Sequence, residues 1–163
     1  MSRFTAPLVV TPTADYRAWR VIRSSSNDPE QAYGWDALRF GYDIGEEGSG
    51  LSIVPPHLFE TDFASIPWFA RWLIKTWGRH TNAAIIHDYL YRGGQISEIS
   101  ENAPGGFIKN QSKHRLYSPM TRKQADRIML EAMEVMNVRK WTQLAIYCGL
   151  RLGGWWAWRK FRR

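Results

Sequence analysis

Residues 81–91 read T-N-A-A-I-I-H-D-Y-L-Y, a histidine and an aspartate side by side inside an apolar run. At helical spacing Ala84, His87, Asp88 and Tyr91 fall at i, i+3, i+4 and i+7 on one side, while Ala83, Ile86 and Leu90 fall on the neighbouring side. The spacing predicts one short helix with a polar chemical face and a core face. Thr81 or Asn82 is expected to cap its start, because a short polar side chain accepts from the first free backbone N–H groups, and Gly93-Gly94 to stop it.

What this helix can belong to is limited by composition. A chain of 163 residues, 44% hydrophobic and 14% aromatic, is long enough for one folded domain with a moderate core. Its lone Cys148 excludes an internal disulfide, and without a CxxC pair a thiolate zinc site is excluded too. Site chemistry must therefore come from His, Asp, Glu and Tyr. No charged segment followed by an apolar one opens the chain, so no secretory signal peptide is expected.

The net charge of +7 is unevenly placed. Arg139, Lys140, Arg151, Arg159, Lys160, Arg162 and Arg163 are basic, and no acid stands among residues 139–163. The other basic residues balance the 15 acidic ones, so the body is neutral and the tail carries the excess. That argues against nucleic acid as a specific partner and points to a local partner for the C-terminus, an anionic lipid surface or an acidic protein face.

Upstream, Leu8–Thr11, Tyr16–Arg23, Leu38–Ile44 and Leu51–Val54 read as β-segments separated by turn-rich stretches, predicting a small N-terminal antiparallel sheet. Trp19, Trp35, Phe40 and Tyr42 are expected to pack on it. A loop with Thr61-Asp62 then leads through Ser65 and Pro67 into a Trp-rich, helix-like segment, Trp68–Trp77. Asp62 is either a turn residue or a ligand. Residues 93–119 are polar and glycine-containing, expected as an exposed loop or lid. Thr121-Arg122-Lys123-Gln124 is a capping box ahead of a second helix, with Ala125, Met129, Ala132 and Met136 as its apolar stripe. Asp126 sits at the edge of that stripe, where a carboxylate needs a partner. The whole predicts an α+β chain in a single domain, 1–163. Residues 1–60 are mainly β, and 61–163 mainly α in a bundle of about four helices.

The combination of T-D-F-A-S-I-P at 61–67, W-G-R-H at 77–80, A-A-I-I-H-D-Y-L-Y at 83–91, T-R-K-Q-A-D-R-I-M-L-E-A-M at 121–133 and I-Y-C-G-L-R-L-G-G-W-W-A-W at 146–158 resembles the phage and prophage family called DUF1353. The resemblance implies a bacteriophage origin, often among tail and lysis genes, synthesis in a host cytoplasm and incorporation in a virion as a further step. It does not imply an activity. The loop from Gly94 to Pro119 looks longer than the family's usual link between the two helices.

A looser similarity concerns chemistry. H-D-x-x-Y on one helix with A-D on a second is similar to the phospholipase A2 arrangement. There a histidine is the base for water, a distant aspartate holds its other ring nitrogen, and the adjacent aspartate binds Ca²⁺. Carried over by motif, His87 is the base, Asp126 the orienting carboxylate, Tyr91 its support and Asp88 the calcium ligand, with Asp62 as a substitute ligand. The glycine-rich calcium loop of such enzymes has no counterpart upstream of His87. The structural alternative is a buried His87–Asp126 pair locking two helices together. A zinc site from His80 and His87 lacks evident further ligands.

Residues 141–158 contain one charge, Arg151, and three glycines, with Trp141, Trp155, Trp156 and Trp158 near the ends and Arg139-Lys140 and Arg159-Lys160 flanking. This is short for a membrane span of about 20 residues. It suits a terminal helix packed on the domain with its arginines solvated, or an interfacial helix on an anionic membrane. Two functions follow: a phage structural or accessory protein acting through a phage or host protein partner, or a calcium-dependent phospholipase A2-like hydrolase used in entry or lysis.

Overall fold

The computed structural model describes residues 2–4, 8–14, 18–22, 40–45, 51–56, 58–61, 78–99, 108–110 and 120–161. They form an α+β chain with two antiparallel sheets and three helices. The chain divides into two compact units, residues 1–62 with 95–118, and residues 63–94 with 119–163.

The first unit holds the sheets. Strands β1 (Arg3–Phe4), β4 (Tyr42–Asp43), β5 (Leu51–Ile53), β7 (Ser97–Ile99) and β8 (Ile108–Asn110) lie in the order β1-β4-β5-β7-β8. Strands β2 (Val9–Pro12), β3 (Trp19–Ile22) and β6 (Glu60–Thr61) form the other sheet in the order β2-β3-β6. The four segments expected as one sheet are therefore shared between two, because strand partners are chosen by non-local pairing that local alternation does not encode. Phe40, Tyr42, Ile44 and Ile53 are buried, and the Phe4 ring sits 5.0 Å from that of Tyr42. Trp19 is half-buried, and Trp35 lies outside the described residues. The stretch 93–119 is not a loop throughout, since it contributes β7 and β8.

The second unit holds α1 (Thr81–Tyr91), α2 (Arg122–Val135) and α3 (Lys140–Phe161). A bundle of four is not what the described residues form; the fourth helix expected, Trp68–Trp77, lies outside them. The residue at the N-cap of α1 is His80, and Thr81 instead accepts the Gly78 N–H on its hydroxyl at 2.9 Å. Its end is as the glycines predict. Gly93 has φ of 92°, the Gly93 N–H donates to Leu90 O and the Gly94 N–H to Tyr89 O, a complete Schellman closure. Asn137, at φ 51°, closes α2 in the same way, with Asn137 N–H on Glu134 O and Val138 N–H on Met133 O. The start of α2 is the capping box read from Thr121 and Gln124. One expectation fails instructively: α1 is not two-faced. Ala83 through Asp88, Leu90 and Tyr91 are all buried, as in a helix surrounded by core, so its polar residues must find partners inside.

Candidate functional site

Those partners come from α2 and α3. His87 Nε2 lies 3.1 Å from Asp126 Oδ1, and the Tyr91 hydroxyl donates to the same oxygen at 2.6 Å. Arg151, on α3, donates from Nη1 to Asp126 Oδ2 at 2.7 Å. His87 and Tyr91 stand one helical turn apart, which brings their ring centroids to 4.0 Å. Trp158 closes the far side of Tyr91 edge-on at 5.1 Å. One carboxylate thus collects three donors from two neighbouring helices.

Such convergence is required by burial. His87 is 1% exposed and Asp126 0%, and a carboxylate taken out of water costs several kcal/mol unless paired. Burial alone would raise the Asp126 pKa; the hydrogen bonds from His87, Tyr91 and Arg151 outweigh it and hold the group ionised, below its usual range. Burial and the bond to Asp126 push the Tyr91 phenol well above its ordinary value, so it remains a donor. The bond to Asp126 raises Arg151 further.

The ionised Asp126 settles the histidine tautomer. A carboxylate only accepts, so the 3.1 Å contact places a ring hydrogen on Nε2 and leaves Nδ1 as the nitrogen not engaged by Asp126. Nδ1 is buried and has no hydrogen-bond partner among the described residues. An oriented imidazole with a free basic nitrogen can take a proton from a water or a hydroxyl.

Two further supports come from α3. Arg151 was expected in solvent, and instead it holds Asp126; the signal was its standing as the one charge of residues 141–158. Gly154 is the second. A methyl group there would stand 2.7 Å from the Tyr91 hydroxyl, so any residue larger than glycine would displace Tyr91 from this position. Arg122, at the start of α2, fixes the same stretch of α3 by donating to Leu150 O at 3.1 Å and Arg151 O at 3.3 Å.

Of the remaining expected residues, Asp88 is buried beside the pair and has contacts of its own. Asp62 lies outside the described residues, as do Arg162 and Arg163. Trp155, Trp156, Arg159 and Lys160 are exposed on α3, Arg139 and Lys140 are exposed at and before its start, and Trp158 is half-buried against Tyr91. No group of three His, Cys, Asp or Glu side chains converges among the described residues. Calcium takes about six to eight oxygen ligands. Asp88 alone does not supply them, so these residues do not make a calcium site by themselves.

The fold and cluster define an α+β protein with a buried His–Asp–Tyr–Arg centre in its helical unit. The chain belongs to the family described as DUF1353, protein of unknown function, whose model matches residues 42–150. The match takes in α1, α2 and the first half of α3, ending one residue before Arg151. No curated protein and no solved structure matches the chain.

Proposed function

We propose that this chain is a phage-encoded hydrolase in which His87 Nδ1 is the general base, acting on an ester of the phospholipid class. The observation that carries the reading is a buried Nδ1 with no hydrogen-bond partner among the described residues, on a ring whose other nitrogen is held by Asp126. A pair serving only to lock helices gains nothing from a buried, unsatisfied ring nitrogen, which carries a desolvation cost. The contacts of His87 and Tyr91 with Asp126 support the same reading, since the resemblance to the phospholipase A2 arrangement implies them. In the step itself, Nδ1 takes a proton from water, the water oxygen adds to the ester carbonyl, and the proton is passed to the leaving alkoxide. Asp126 stabilises the imidazolium formed meanwhile, and Tyr91 and Arg151 keep Asp126 in place.

The test is fatty-acid release from phospholipid vesicles by the purified chain, with and without calcium. His87→Gln retains a donor toward Asp126 but removes the base, and is expected to lower the rate by roughly 100- to 10,000-fold at nearly unchanged thermal midpoint. Absence of release under both conditions, or a fully active variant, would discard the hydrolase.

A second reading rests on the sealing of the cluster, with His87 1% and Asp126 0% exposed. In it the cluster is a clamp joining α1, α2 and α3, and the protein is a virion, tail or assembly component acting through a phage or host protein. It predicts an inactive chain that mass spectrometry finds in purified particles.

A further inference from the structure

α3 is apolar on two opposite sides. Gln143, Ile146, Gly149, Leu150 and Gly154 are buried, yet Trp141, Leu144, Leu152, Trp155 and Trp156 are exposed, with Leu152 75% and Trp156 63% open. At 100° per residue these five side chains share an arc of about 120°, running about 22 Å along the helix. A surface helix ordinarily turns charge outward, so a continuous apolar stripe of this size marks a docking face.

The charges around it select the occupant. Arg159 lies on the stripe with its guanidinium 5.3 Å from the Trp155 ring, and Lys160 at its edge places its ammonium 5.6 Å from the Trp156 ring. Arg139 stands at the other end with Lys140, whose ammonium pairs with Glu134 at 2.8 Å, and no acid occurs anywhere in residues 139–163. A protein partner or second copy would have to cover indoles already carrying cations and answer the positive charge of Arg159 and Lys160. An anionic lipid surface meets both demands, taking the indoles at headgroup depth while its phosphates pair with the bases. No described helix is long and apolar enough to cross a membrane.

We propose that the outer face of α3 lies in the interface of an anionic phospholipid membrane, with Leu152, Trp155 and Trp156 inserted and Arg159 and Lys160 on the headgroups. This docking stands on exposure and charge, independently of any chemistry at His87.

The experiment uses the intact chain and measures binding, so that turnover plays no part. Sucrose-loaded vesicles of phosphatidylcholine, with and without about 30 mol % phosphatidylglycerol, are sedimented with the protein. At least a roughly tenfold preference for the anionic vesicles is expected, weakening as salt rises from about 0.1 to 0.5 M. The double variant Leu152→Ser/Trp156→Ser and the double variant Arg159→Glu/Lys160→Glu should each lower binding by on the order of tenfold or more. Cys148, the sole cysteine and itself exposed, lies on the same arc, so an environment-sensitive fluorophore attached there should shift to the blue with anionic vesicles only. Equal sedimentation with both lipids, or variants that bind as the parent does, overturns the proposal. So does a dimer broken by Leu152→Ser in a chain that ignores vesicles, which would assign the stripe to a second copy.

Discussion

The two sides of α3 are made of similar residues and behave in opposite ways. The inner side carries Arg151 and Gly154, each specified by one neighbour: a carboxylate at 2.7 Å, and a phenol that leaves no space for a methyl group. The outer side carries Leu152, one residue along from Arg151, and at Gly153, next in the chain, a built methyl group meets nothing within 4 Å. Polarity does not separate them, since the inner side holds a charge and the outer side a row of tryptophans. What separates them is whether a side chain's partner is within this chain. The inner side serves the centre around Asp126, and the outer side is left for something else.

Breaking the inner side should have the largest effect. Asp126→Asn leaves Arg151 and His87 facing a neutral amide and should lower stability by about 2–4 kcal/mol, read as a shifted denaturation midpoint. Its pH dependence carries a sign. Asp126 is held below the usual carboxylate range, so its contribution is present above the unfolded value of about 3.9 and is lost as pH falls from there through the folded one. Thermal melts between neutral pH and pH 3 should therefore fall less steeply for Asp126→Asn than for the parent.

The adjacent glycines give a finer contrast. Gly154→Ala should destabilise by about 1–3 kcal/mol, because Tyr91 must move off Asp126. Gly153→Ala, one residue away in open space, should stabilise by about 0.5–1 kcal/mol through helix propensity. A pair of urea melts decides this, and equal effects at the two positions would contradict the packing of Tyr91 on α3. The smallest effect is expected outside: Leu152→Ser should leave the midpoint within about 0.5 kcal/mol while still weakening membrane binding.

Several parts of this protein were legible in local sequence because local groups create them. The extent of α1 follows from its apolar periodicity and from Gly93-Gly94, and the start of α2 from Thr121 and Gln124, each within a few residues of the atoms it satisfies. His87, Tyr91 and Asp126 were nameable together only because their motif resembles a known arrangement; nothing in the spacing brings residues 87 and 126 to 3.1 Å. The excursion at 93–119 hid β7 and β8, since a strand there is stabilised by pairing with β5 and not by its own composition.

Sequence by itself determined the α+β character, the stop of α1 at Gly93-Gly94, the start of α2 at Thr121 and the charge of the tail. Tertiary structure alone decided that α1 is buried almost all round, that Arg151 turns inward to a carboxylate 25 residues away, and that Gly154 rather than Gly153 is the close approach. The reason is physical. Capping and periodicity act within a turn or two of the chain, whereas the desolvation of Asp126 is answered by whichever donors the packing of three helices brings within reach.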